Sequence, residues 1–107
     1  MKNRVQLIGN VGNEPIIKSF EGGKKLASLT IATNDSYKND KGERVEQTEW
    51  HTVVAWGKTA EIIEKFVTKG KQIAVEGKLT HRSYDDKNGE KRYITEVVVN
   101  EIILLGK

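Results

Sequence analysis

The 107-residue sequence predicts a mostly β fold, a small barrel of five strands with one helix between strands 3 and 4. Three observations predict it. Apolar residues recur at alternate positions in several runs, the period of a half-buried strand. One stretch changes to a spacing of three and four residues, as the buried face of a helix requires. Glycine, asparagine and aspartate gather between the runs, where a chain that reverses direction needs them.

Taken in order, Val5, Leu7, Gly9 and Val11 alternate with Gln6 and Asn10 and form a first strand. Pro15 interrupts beside Asn13-Glu14, and Ile16 to Phe20 resumes extended until Gly22-Gly23 turns the chain. Lys25 to Thr33 is a second strand with Ala27, Leu29 and Ile31 on one face. Ser36 to Gln47 is polar, charged and contains Gly42, which fits a long exposed loop or the tip of an extended hairpin. Thr48 to Trp56 is a third strand. In the helix that follows, Ala60, Ile63 and Val67 are flanked by Ile62 and Phe66. Thr59 or Gly57 is its expected cap, Glu61 and Glu64 sit towards its amino end, and Lys69-Gly70 closes it. Gln72 to Ser83 is a fourth strand carrying Ile73, Val75 and Leu79. Asn88-Gly89, within Asp85 to Gly89, signals a hairpin, and Arg92 to Leu105 is a long fifth strand. Strands and helix in this order are the layout of an all-β OB-fold, a Greek-key barrel whose face and loops commonly bind oligonucleotides. An α+β sheet with one packed helix fits the same string.

Composition bounds the function. A chain of this length has room for one domain, residues 1–107, around one core. No run nears the roughly 20 apolar residues of a membrane helix, so no membrane partner is expected. Met1-Lys2-Asn3-Arg4 leads straight into Val5 without the apolar core of a signal peptide, which predicts a cytoplasmic protein. The absence of cysteine excludes disulfides, thiol nucleophiles and cysteine-based zinc sites. Eighteen Lys+Arg against fifteen Asp+Glu give a net charge of +3 and a pI near 9.1, a surplus that permits a nucleic-acid partner without requiring one.

The candidate binding residues are aromatic and basic. Trp50 and Trp56 lie an even number of residues apart on one predicted strand, hence on one face, while His51, Val53 and Ala55 point the other way. At about 3.3 Å per residue the two indoles are roughly 20 Å apart, too far to stack on each other but suited to successive bases. Placement of both in the core is the competing reading. Tyr37 and Tyr84 fall in the two polar loops beside Lys38, Lys41, Arg82 and Lys87, where a phenol has little core to join. Aromatic-plus-cation loops favour base stacking beside phosphate neutralisation; a tyrosine lying flat on its own loop is the plainer alternative.

Catalytic readings find less support. Gly57-Lys58-Thr59 copies the end of a phosphate-binding loop, but Thr52 stands where the motif needs glycine. His51 and His81 have no second histidine at ligand spacing, so no metal and no cofactor is expected. Asp85-Asp86, next to Asn88-Gly89, reads as turn chemistry. The four serines at positions 19, 28, 36 and 83 show no nucleophile elbow, and no carboxylate cluster suggests a nuclease. The chain is read as a binding protein and not an enzyme, with an RNA-binding barrel as a second possibility.

The segments VQLIGNVGNEP, LTIATNDSYK, QTEWHTVVAWGKTAE, KGKQIAVEGKL and YITEVVVNEI closely resemble the bacterial single-stranded DNA-binding protein family, from about Val5 to Leu105. TEWH followed by VVAWGK is the most specific piece. The resemblance implies a nucleoid-associated homotetramer of OB folds that binds and protects single-stranded DNA in replication, recombination and repair. Its four stacking positions correspond to Tyr37, Trp50, Trp56 and Tyr84. Phosphate contacts correspond to Arg4, Lys58, Lys69 and Arg82, and more loosely to Lys2, Lys18 and Lys38. Thr52 stands where the family has a basic residue. His51 resembles the family's histidine at the subunit interface. The family's flexible acidic-tipped tail has no counterpart before Gly106-Lys107, so recruitment of replication and repair enzymes through a tail is not expected of these residues.

Overall fold

Residues 3–105 are described by a computed structural model. The alternating run Val5–Val11 forms β1. Pro15 has no amide hydrogen to donate to a ladder, so the chain kinks and restarts as the short β2, Ile16–Ser19. Both segments lie along β3 (Lys25–Lys38), but the register shifts between them: five residue steps from Val11 to Ile16 face three from Ile31 to Ser28. The segment expected only to be extended is thus a sixth strand, a bent continuation of the first.

The remaining elements are β4 (Arg44–Trp56), α1 (Gly57–Phe66), β5 (Gln72–Asp85) and β6 (Lys91–Leu104). The hydrogen-bonded order is β1-β5-β6-β4-β3-β2, and β1 also pairs with β3. That pairing closes a barrel of β1, β5, β6, β4 and β3, the OB layout. Closure brings backbones unusually near. A Cβ on Gly9 would strike Ala32 O, and one on Gly77, at a shift in the β5–β6 register, would strike Val98 O. Only glycine fits where strands approach this closely.

Inside the barrel, Leu29, Ile31, Val53, Ala55, Ile73, Val75, Val97 and Val99 are buried. Ala60, Ile63 and Val67 complete the core from the helix side, while Ile62 and Phe66 remain exposed. The helix begins at Gly57 after Trp56, without a side-chain cap from Thr59, and ends at Phe66, before Lys69-Gly70. Gly70 serves the next turn: its amide donates to Val11 O at 2.7 Å, tying the helix exit to β1. No helix among the described residues is long and apolar enough to cross a membrane.

Two long hairpins extend the barrel. β3 and β4 pair without interruption to Lys38–Arg44, and β5 and β6 to Asp85–Lys91. The stretch from Ser36 to Gln47 is therefore the hairpin tip of the two expected alternatives. Both tips share one construction. Asn39 Oδ1 accepts from the amides of Lys41 and Glu43, and Asp86 Oδ1 from those of Asn88 and Glu90, all at 2.9 Å. Gly42 and Gly89 each take φ of 78°. These are three-residue turns ending in a left-handed glycine, and the hairpin expected from Asn88-Gly89 is present.

Candidate functional site

β4 and β6 run parallel and pair only at Val53–Val97 and Val54–Val98. So short a seam leaves a trough on the outer wall of the barrel, a cleft of about 430 Å³. Leu26, Val54 and Val98 form its apolar floor, Trp56 a wall, and Lys18 and Arg82 its basic members. Three of the sequence-predicted residues, from β2, β4 and β5, converge here.

Trp50 and Trp56 are 62% and 49% exposed, so neither belongs to the core. Both point outward because Val53 and Ala55, on the alternate parity, fill the barrel. Phe20, just past β2, stands 5.9 Å from the Trp56 ring at an interplanar angle of 32° and supports one side of it. Tyr84 shares the outward face of β5 with Arg82 and lies opposite Arg92. Lys58 is exposed at the start of α1, close in sequence to Trp56.

Several residues fall elsewhere. Tyr37 lies opposite Val45 in a continuous register, on the same parity as Leu29 and Ile31 and therefore on the reverse side of the hairpin from Trp50. It and Tyr84 are strand residues, where loop positions were expected. The sequence misled because both faces of a projecting hairpin are polar, which erases the alternation that marks a strand. Lys38 is exposed opposite Arg44, near that tip. Arg4 is ion-paired with Glu76 at 2.5 Å on the β1–β5 wall, outside the cleft. Hydrogen bonds from Gln6, and then from Arg4, hold the Glu76 carboxyl below its ordinary range. The Lys69 amide donates to Glu14 at 3.3 Å, near the kink after β1. His51 is half-buried on the inner parity, its Nε2 2.9 Å from Thr33 Oγ1. Lys2 lies outside the described residues.

Sequence reasoning missed the main electrostatic feature. Glu96, only 6% exposed, sits in the cleft and is held by Arg82 through two hydrogen bonds. This pairing raises the Arg82 pKa above its ordinary value. A carboxylate set directly before the apolar run Val97 to Val99 of β6 was the available signal. Phe20, Arg92 and Tyr93, the last 77% exposed, were also passed over.

A closed five-stranded barrel with an aromatic, basic cleft on its outer wall defines an oligonucleotide-binding class of protein. The sequence matches the model of the single-strand binding protein family over residues 2–105. The chain belongs to that family. It is 43% identical to single-stranded DNA-binding protein 1 of Chlorobaculum tepidum, covering 97% of this chain and 65% of that protein. With its Xylella fastidiosa counterpart it shares 46% identity, over 98% of this chain and 78% of the other. A solved Plasmodium falciparum SSB complex with ssDNA superimposes with a TM-score of 0.92 at 32% identity, covering 99% of this chain and 97% of the other. A deletion mutant of the Thermus aquaticus single-stranded DNA binding protein gives 0.84 at 32% identity, with 97% of this chain and 50% of the other covered.

Proposed function

We propose that this chain binds and protects single-stranded DNA during replication, recombination and repair, with little sequence preference. The carrying observation is the convergence of Trp56, Lys18 and Arg82 on one outward cleft, with Trp50 and Tyr84 further along the same outer surface. Bases stack on Trp56, Trp50 and Tyr84, since every base has a π face and stacking is tolerant of sequence. Lys18, Lys58 and Arg82 neutralise phosphates beside these rings, with Lys38 and Lys69 extending the track and Arg4 standing apart from it. Tyr37, on the reverse side of its hairpin, contacts a strand only after the DNA has turned around the hairpin edge.

That path fits an assembly in which DNA passes between barrels, and we read the protein as a homotetramer. Ile8, Ala74 and Ile103 form a cross-strand row on the outer wall, and both isoleucines are exposed, an apolar surface that an assembly would cover. His51 is assigned to the subunit contact on resemblance alone. Neither stacking nor phosphate neutralisation requires a reacting group, so the role is one of binding without catalysis.

Equilibrium titration with DNA and RNA oligomers of equal length tests the reading. Tight, sequence-tolerant DNA binding with quenching of tryptophan fluorescence is the expected result. Preference for RNA, or no binding, would overturn it.

A further inference from the structure

We infer that Gly12 is a positioning residue for DNA binding: its missing side chain provides the seat on which the Trp50 indole lies. This rests on the reading of Trp50 as a stacking platform and adds a residue that never touches the DNA.

After β1, the chain continues along the edge of β3 opposite β4, and the Trp50 indole reaches from β4 across β3 to meet it. The Gly12 amide donates to Thr30 O at 2.9 Å. Asn13 Oδ1 then accepts from both the amide and the hydroxyl of Thr30, each at 2.8 Å. Three hydrogen bonds to one residue hold this short segment against β3. Trp50, paired with Ala32 two steps further along the β3–β4 ladder than Thr30–Thr52, lies on the same outward face.

A Cβ on Gly12 would run into Trp50 Cζ3, and would lie 3.1 Å from Cη2 and 2.8 Å from Thr30 Oγ1. The six-membered part of the indole therefore rests where a side chain would otherwise be. The ring is still 62% exposed, so it is supported below and open above. An exposed tryptophan on a strand would ordinarily sample several rotamers, and binding would have to select among them. A backbone seat held by hydrogen bonds limits that freedom before DNA arrives. Alanine at position 12 meets the Thr30 hydroxyl, held by Asn13, on one side and the indole on the other, and the ring is the part free to swing away.

The test compares Gly12→Ala in three backgrounds: wild type, Trp50→Phe and Trp50→Ala. Binding to a single-stranded oligonucleotide is measured by titration, with folding followed by circular dichroism and thermal melting. A phenyl ring lacks Cζ3 and Cη2 but still stacks. Trp50→Ala alone is expected to weaken binding about fivefold or more, the lower end of one lost stacking contact. Gly12→Ala in the wild type should lose roughly three- to tenfold, a part of that same contribution. Added to Trp50→Phe or Trp50→Ala, it should change affinity by less than about twofold, because the colliding carbons are gone.

Equal losses in all three backgrounds would overturn the inference, since Gly12 would then serve the fold or the Thr30 contact and not the ring. No loss in the wild type would overturn it as well. Wild-type affinity in Trp50→Ala itself would instead refute the stacking reading, which makes the two failures distinguishable. If Gly12→Ala fails to fold, the Trp50→Phe background decides: refolding traces the collision to the indole, and continued misfolding overturns the inference.

Discussion

Arg82 and Glu96 join β5 to β6 through a two-point contact, Nε to Oε1 at 2.9 Å and the second guanidinium nitrogen to Oε2 at 3.2 Å. The arginine side chain is more than half exposed, whereas the carboxylate is almost wholly covered. Two consequences follow for the phosphate contact proposed for this cleft. Arg82 is held in one orientation with its other N–H donors still available, and the charge it offers is partly offset from below.

Arg82→Ala is therefore expected to do more than remove one phosphate contact. It strands a buried negative charge beside the DNA path, which opposes both folding and phosphate binding. Affinity in Arg82→Ala should fall further than in Lys18→Ala at the same salt concentration. The double variant Arg82→Ala, Glu96→Gln should bind more tightly than Arg82→Ala alone. Titrations of the three variants side by side check this, and no recovery in the double variant would show that the Glu96 charge does not reach the DNA.

Salt separates the two kinds of contact. Neutralising a phosphate on a single strand releases counterions, so Lys18→Ala or Lys58→Ala should each flatten log affinity against log salt by about 0.7. Trp50→Ala should lower affinity at every salt concentration and leave the slope nearly unchanged. A wild-type slope in a folded Lys18→Ala, Lys58→Ala variant would remove both lysines from the phosphate track.

The exposed tryptophans predict loss of binding without loss of fold. Trp50→Ala and Trp56→Ala should each cost about 1–3 kcal/mol of binding free energy. Neither ring belongs to the buried cluster, so melting temperatures should stay close to wild type. Removing Trp56 also frees Phe20 of its ring partner, and Phe20→Ala should weaken binding less than Trp56→Ala does. Fluorescence titration and thermal melting report the two quantities independently; unfolded variants would count against exposure of the rings.

Acid should act on the β5–β6 hairpin. Hydrogen bonding from Arg92, then from the amides of Glu90 and Asn88, holds the Asp86 carboxyl below its ordinary pKa. A carboxyl lowered on folding contributes stability that is complete above its unfolded pKa, about 3.9 for aspartate, and is lost as pH falls through the lower folded value. Glu76 is shifted in the same direction and adds to the effect. Melting temperature should thus decline below about pH 4, with Asp86→Asn showing a shallower decline. Amide exchange should locate the loss at residues 84–92, since Asp86 organises that tip; an acid transition unaltered in Asp86→Asn would remove it as a contributor.

Much of the framework was legible because its causes are local. Alternation marked Leu29, Ile31, Val53, Ile73 and Val75 as inward residues, and all of them are buried. The change of period marked Ala60, Ile63 and Val67 as the helix face, and they complete the core. Parity along one strand was enough to put Trp50 and Trp56 on a common side. The helix boundaries were read less well. Tertiary bonds decided them: Gly70, which suits a helix end, is used instead to donate to Val11.

By itself, then, the sequence determined the periods, the core residues, the helix and the family, each a property of neighbours a few residues apart or of whole motifs in order. Tertiary structure alone decided which side chains share a site. Arg82 and Glu96 are 14 residues apart, and Lys18 reaches the Trp56 cleft only because β2 folds back along β3. The polar tips carry no alternation, so the uninterrupted ladder that turns Tyr37 away from Trp50 is visible only in the register. Gly12 and Trp50 meet because β1 and β4 flank β3 on opposite edges and the indole spans the strand between them. Such contacts depend on how the sheet closes, and closure is a sum over the whole chain that no short window of residues contains.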